Sequence, residues 1–162
     1  MPDSNGNLLG IEDFTPGLRI RLVSYLDPDM VMACGGPTGD RACVHRLSNG
    51  SGGDAGVFQV EVPEPGFFQL LVSNFDPFTQ YLQWQQNTLD DATLIGLYYW
   101  DPGNPLSWFA VDMLDGGVWF ALNNSTREAV ADVNGSQTFE GAPVTGWDWN
   151  GGDNQRWRAQ IV

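Results

Sequence analysis

The sequence predicts an all-β domain made of three copies of one unit, and three observations carry that prediction. First, the chain repeats itself: "GLRIRLVSYLDPDMVMAC" from Gly17, "GFFQLLVSNFDPFTQYLQW" from Gly66 and "GVWFALNNSTREAVADV" from Gly117 begin alike. Their ends match too, in "GVFQVEVPEPG" from Gly56, "SWFAVDMLDGG" from Ser107 and "RWRAQIV" from Arg156. Second, short β-branched and aromatic runs alternate with clusters of Gly, Pro, Asn and Asp, the pattern of strands and tight turns. Third, no stretch keeps a 3.6-residue apolar period for two turns, so almost no helix is expected.

The elements follow in order. After an N-terminal segment, 1–16, repeat one (17–65) opens on the strand "LRIRLVSY", passes the turn "LDPD" and closes on "VFQVEV". Repeat two (66–116) opens on "FFQLLVSN" and closes on "WFAVDM" after the turn "DPGNP". Repeat three (117–162) opens on "VWFALNN" and closes on "RWRAQIV" after "NGGDN". The starts lie 49 and 51 residues apart, and the tail of the chain coincides with the tail of the third unit. About four short strands per unit add up to roughly twelve. A propeller of three blades does not close, and a solenoid needs capping units that the end repeats do not resemble. The arrangement left is a β-trefoil: a six-stranded barrel closed by three hairpins, as a single domain over 1–162. A chain of this size buries about 70% of the surface its unfolded form exposes.

Composition narrows the partners. Hydrophobic residues make up 42% and charged residues 17%, a globular balance. The formal charge is −13, with seven arginines and no lysine. Phosphate backbones and anionic headgroups repel such a chain, so nucleic acid is not an expected partner. No segment approaches the roughly 18 apolar residues that span a bilayer, so membrane insertion is not expected either. The start, "MPDSNGNLLGIEDF", lacks a basic residue and a sustained apolar run. It does not read as a secretory signal, and a cytoplasmic chain, or a mature form with its signal removed, is expected. Cys34 and Cys43 show no metal-ligand spacing and are read as partly buried thiols. The N-x-S/T triplets at Asn49, Asn124 and Asn134 are read as chance in so Asn- and Ser-rich a chain.

The stretch from Ala129 to Trp157, "AVADVNGSQTFEGAPVTGWDWNGGDNQRW", resembles repeats of ricin-B-type β-trefoil lectins of mushrooms, and its "DNQRW" resembles their Gln-x-Trp signature. The likeness is motif-level over repeat three and architectural over the other two. It implies binding of a galactose- or N-acetylgalactosamine-type glycan or glycoprotein. The family positions map onto Asp132, Thr145, Trp147 and Asn154. An Asp accepts hydrogen bonds from neighbouring sugar hydroxyls, an Asn adds a polar contact, and an aromatic ring covers the apolar sugar face. Thr145 replaces a longer polar residue. Gln155 is read as fixing its own turn and Trp157 as core, aligned with Trp108 and Val57.

Repeats one and two depart from this pattern. They carry Ala33 and Gln83 at the place of Asp132, Leu47 and Leu97 at that of Trp147, and Asp54 and Pro105 at that of Asn154. One site per chain is therefore expected, and agglutination then requires a homodimer. The alternative is a β-trefoil protease inhibitor, a fold also found in mushrooms, acting on a cysteine, serine or aspartic protease. Its exposed loops would be the matching turns Asp27-Pro28 and Asp76-Pro77, followed by Met30 and Phe78, together with Trp100 in "GLYYWDPGNP". An enzyme is not expected. His45 is the single histidine, read as a polar surface residue, and neither metal spacing nor a phosphate loop points to a metal or cofactor.

Overall fold

Alternating apolar residues draw the chain into strands. The computed structural model describes residues 1–34, 41–49, 56–72, 80–85, 93–99, 103–115 and 117–162, with backbone only at 49, 93, 94 and 97–99. Repeat one supplies β1 (Arg19–Ser24), β2 (Met30–Cys34), β3 (Ala42–Arg46) and β4 (Phe58–Glu61). Repeat two supplies β5 (Gln69–Val72), β6 (Gln80–Trp84), β7 (Thr93–Tyr99) and β8 (Phe109–Met113). Repeat three supplies β9 (Phe120–Asn124), β10 (Val130–Val133), β11 (Val144–Trp147) and β12 (Trp157–Ile161). Single 3-10 turns are the only helical pieces among the described residues.

The first and last strand of each repeat build the barrel. β1 pairs with β12 and β4, β4 with β5, β8 with β9, and β9 with β12, all antiparallel. The ring closes between β5 and β8 through the Phe68–Phe109 bridge, whose two backbone hydrogen bonds measure 3.0 and 2.8 Å. The middle strands form three hairpins, β2–β3, β6–β7 and β10–β11. They meet around the pseudo-threefold axis through β11–β7 pairing and the bridges Arg41–Gly96 and Cys43–Pro143. This is the β-trefoil.

Strand register shows which positions of the repeats are equivalent. Ile20 faces Phe58, Phe68 faces Phe109, and Phe120 faces Trp157, and all six side chains are fully buried. Trp157 is therefore the counterpart of Phe58 and Phe109, not of Val57 and Trp108. A one-residue slip in a strand turns each side chain to the other face, so counting along repeats of unequal length misplaces the match. The match of Trp147 is corrected as well, by two residues in repeat one and by one in repeat two. It lies opposite Val130, and the residues opposite the equivalents of Val130 are His45 and Tyr98, not Leu47 and Leu97.

The segment 1–16 belongs to the core. Leu8 and Phe14 are buried, Leu8 N–H donates to the Ala159 carbonyl at 2.9 Å, and the Phe14 ring stacks on Phe68 with centroids 4.2 Å apart. Phe14 thus fills the barrel beside the β5–β8 seam, where strand pairing is thinnest. No disulfide joins Cys34 and Cys43. Cys34 lies opposite Ala42 and Cys43 opposite Ala33, so their side chains point to opposite faces of the hairpin. Both thiols are buried, more deeply than the sequence suggested. His45 is also buried, at 7% exposure, and is not the surface residue expected.

Candidate functional site

The third hairpin presents its outer face as a platform. Ala131 and Val133 of β10, with Ala129 just before it, turn into the core, so Val130 and Asp132 lie on the other face by strand alternation. Register sets Asp132 opposite Thr145 and Val130 opposite Trp147. Asp132 and Thr145 are buried, at 6% and 7% exposure, while Trp147 at the strand end is 48% exposed. An acid on the floor thus stands beside an accessible aromatic wall.

The turn that leads into β12 locks that acid in place. Gln155 is fully buried, and its Nε2 donates to Asp132 Oδ2 at 2.8 Å and to the Asp148 carbonyl at 2.6 Å. Its Oε1 accepts from Asn150 N–H at 2.8 Å. Asn154 Nδ2 donates to Asp132 Oδ1 and to the Val133 carbonyl, each at 3.1 Å. Gln155 therefore fixes its own turn, as expected, and in addition ties that turn to β10. Trp157 anchors the assembly from below, its Nε1 donating to the Ala131 carbonyl at 3.0 Å. Gly152 leaves the room: a Cβ there would sit 2.6 Å from Asn154 Oδ1 and 2.8 Å from Asn150 Oδ1.

Asp132, Thr145, Trp147 and Asn154 line one open depression of about 190 Å³, so the four positions singled out in the sequence come together. Asn134 and Asn150 complete its rim and were missed. Their signal was the pair of Asn-Gly turns, "NGS" and "NGG", that flank the motif. The volume falls below the ~300 Å³ of a typical enclosing ligand pocket, so the depression suits a ring bound by one edge and one face. Burial raises the Asp132 carboxyl above the ordinary aspartate value, and the hydrogen bonds from Gln155 and Asn154 oppose that rise. Each carboxylate oxygen accepts one protein hydrogen bond. A carboxylate offers about four acceptor sites, so capacity remains for donors entering from solvent.

The equivalent places in the other repeats are built differently. Ala33 and Gln83 do stand where Asp132 stands, while Thr145 corresponds by register to Cys43 and Gly96. Gln155, two residues before Trp157, corresponds to Gly56 and Ser107. At Gly56 a Cβ would meet Val31 Cγ2 at 2.8 Å, so the packing of Val31 leaves no room for a side chain in the place of Gln155.

The loop residues of the alternative reading divide in two. Met30 is fully buried in the core, so its side chain is not a contact surface. It occupies an inward position at the start of β2, directly after the turn. Asp27 and Asp29 are held by Arg46, at 3.0 and 3.5 Å, and Asp29 also accepts from the Ser48 hydroxyl at 2.6 Å. That hydroxyl is the main reason the Asp29 carboxyl lies below its usual value. The Asp27-Pro28 turn is thus a braced corner. Asp76, Pro77, Phe78 and Trp100, like Asp54, lie outside the described residues.

No protein-family profile matches the chain, and no curated protein matches it in sequence. Solved structures do resemble it. A designed three-fold symmetric protein, ThreeFoil, superposes with a TM-score of 0.73 at 23% identity, over 89% of this chain and 99% of that one. The Rhizoctonia solani agglutinin gives 0.70 at 16% identity, over 91% and 96%. The Polyporus squamosus lectin, bound to the epitope Neu5Aca2-6Galb1-4GlcNAc, gives 0.72 at 13% identity. This chain is covered to 91% in that comparison and spans half the length of the lectin. At such identities the likeness concerns architecture, and by topology and superposition alike the chain is a β-trefoil.

Proposed function

We propose that this protein binds a glycan of the galactose or N-acetylgalactosamine type through the depression on its third repeat. One observation carries the reading: a buried carboxylate, aimed by two side-chain amides, stands beside a half-exposed tryptophan. Sugar hydroxyls compete with water, so pre-aimed, charge-assisted acceptors favour the bound state, while the ring covers C–H surface. A galactose-type ring suits that pairing, because its axial hydroxyl gathers neighbouring C–H bonds on the opposite side. The resemblance of Ala129–Trp157 to mushroom lectin repeats and the lectin and agglutinin among the structural neighbours support the same reading.

Binding without turnover is part of the proposal. Glycoside hydrolysis ordinarily employs two carboxyl groups across the scissile bond. Asp132 is the one carboxylate among the residues lining this depression. The inhibitor reading gains no support from the buried Met30 or the braced Asp27-Pro28 turn.

Calorimetric titration of galactose and N-acetylgalactosamine into the wild type and Trp147→Ala tests the reading. Saturable binding, weakened about tenfold or more in the variant, is expected. Binding of neither sugar, or binding indifferent to Trp147, contradicts it.

A further inference from the structure

A second depression, of about 170 Å³, opens where β8 of the second repeat meets the third repeat, and is lined by Asp112, Asn123, Arg127, Glu128, Val130 and Trp149 among others. It shares the first depression's residue types but is more open, the Asp112 side chain being 56% exposed. Asp112 is held by two side chains: Asn123 Nδ2 donates to Oδ2 at 2.9 Å, and Arg127 Nη1 pairs with Oδ1. Trp149 beside it is 44% exposed. The turn that presents Arg127 is itself fixed, because the fully buried Asn124 accepts at Oδ1 from Glu128 N–H at 3.0 Å and Ala129 N–H at 3.3 Å. A carboxylate held by two side chains next to an accessible tryptophan ring thus occurs twice, once on β8 and once on β10.

The two depressions are also neighbours. Val130, in the second, lies two residues along β10 from Asp132, in the first, and on the same face. Two strand residues span about 7 Å. Trp147 walls the first depression and Trp149, two residues on, walls the second. Asp112 and Glu128 outnumber Arg127 there, so the local charge is negative and an anionic sugar is disfavoured.

Resting on the glycan-binding reading above, we infer that the Asp112–Trp149 depression is a second subsite, which takes the next neutral, hydroxyl-rich unit of an oligosaccharide whose terminal ring occupies the Asp132–Trp147 depression. The preferred ligand is then a neutral oligosaccharide and not a monosaccharide. Asp112 and Glu128 supply acceptors, Arg127 donors, and Trp149 the apolar contact.

The test is calorimetric titration of galactose, a neutral galactose-terminated trisaccharide and a sialylated trisaccharide into the wild type, Trp149→Ala and Asp112→Ala. Near-ultraviolet circular dichroism reports the fold of each. The expected result is tighter binding of the neutral trisaccharide than of galactose, by roughly tenfold. Each variant should erase that gain while leaving galactose binding unchanged. Equal affinity of the wild type for galactose and trisaccharide, or a gain that both folded variants retain, overturns the subsite. A preference for the sialylated ligand overturns its neutral character. Absence of all glycan binding overturns the glycan-binding reading together with the subsite. Galactose binding without the trisaccharide gain overturns the subsite alone.

Discussion

Asp132 owes its proposed role to the two amides that aim it and to its burial, and burial sets the direction of its titration. Burial raises this carboxyl above the ordinary aspartate value of about 3.9. The folded chain therefore keeps the proton to a higher pH than the unfolded chain does. Ionisation at this position costs fold stability as pH rises through the raised value, and acid relieves that cost. Sugar binding runs the opposite way, because protonation removes acceptor capacity. Titrations at stepped pH should show binding lost on acidification with a midpoint above about 3.9. A midpoint at or below that value contradicts the buried-acceptor account. Gly152→Ala probes the same cluster sterically. Its φ of −68° suits alanine, so the added Cβ acts only on the facing amides of Asn150 and Asn154. Affinity for galactose should fall several-fold in calorimetric titration while near-ultraviolet circular dichroism shows the fold retained; unchanged affinity contradicts the role of these amides.

At the scale of elements, the barrel strands and the hairpins divide the work. Ile20–Phe58, Phe68–Phe109 and Phe120–Trp157 fill equivalent places in the barrel, so truncating any of the three closing aromatics opens the same kind of cavity. Phe58→Ala, Phe109→Ala and Trp157→Ala should each cost about 3–5 kcal/mol in denaturant unfolding. A change near zero in any of them contradicts the register. Trp157→Ala should also impair binding, because its ring braces Ala131, next to Asp132. The all-β trefoil with its three repeats of about four strands was legible in the sequence because turn clusters and Gly-aromatic starts recur. Equivalence at single-residue resolution was not. Counting from Gly17, Gly66 and Gly117 misses length changes between repeats, and one missed residue exchanged Phe109 for Trp108 and Tyr98 for Leu97. The reach of Gln155 to Asp132 was hidden for a different reason. The two lie 23 positions apart, and only β10–β11 pairing and the folded closing turn bring them together.

Across the whole molecule, three-fold pseudo-symmetry supplies the frame, and among the described residues the Asp132–Asn154–Gln155 cluster stands in repeat three. The barrel joins β1 to β12 and seats Phe14 between Phe68 and Phe120, so the site rests on a core to which every repeat contributes. A net charge of −13 suits a neutral ligand better than an anionic one. The proposal of one such site per chain makes multivalent attachment depend on assembly of more than one copy. The central claim is that Asp132 is the acceptor around which a glycan is recognised. The measurement that tests it most directly is glycan-array binding of the wild type beside Asp132→Ala, both checked for fold by near-ultraviolet circular dichroism. The account predicts wild-type binding to galactose- or N-acetylgalactosamine-terminated glycans and its loss in the folded variant. Binding that survives Asp132→Ala, or a wild type that binds nothing on the array, contradicts it.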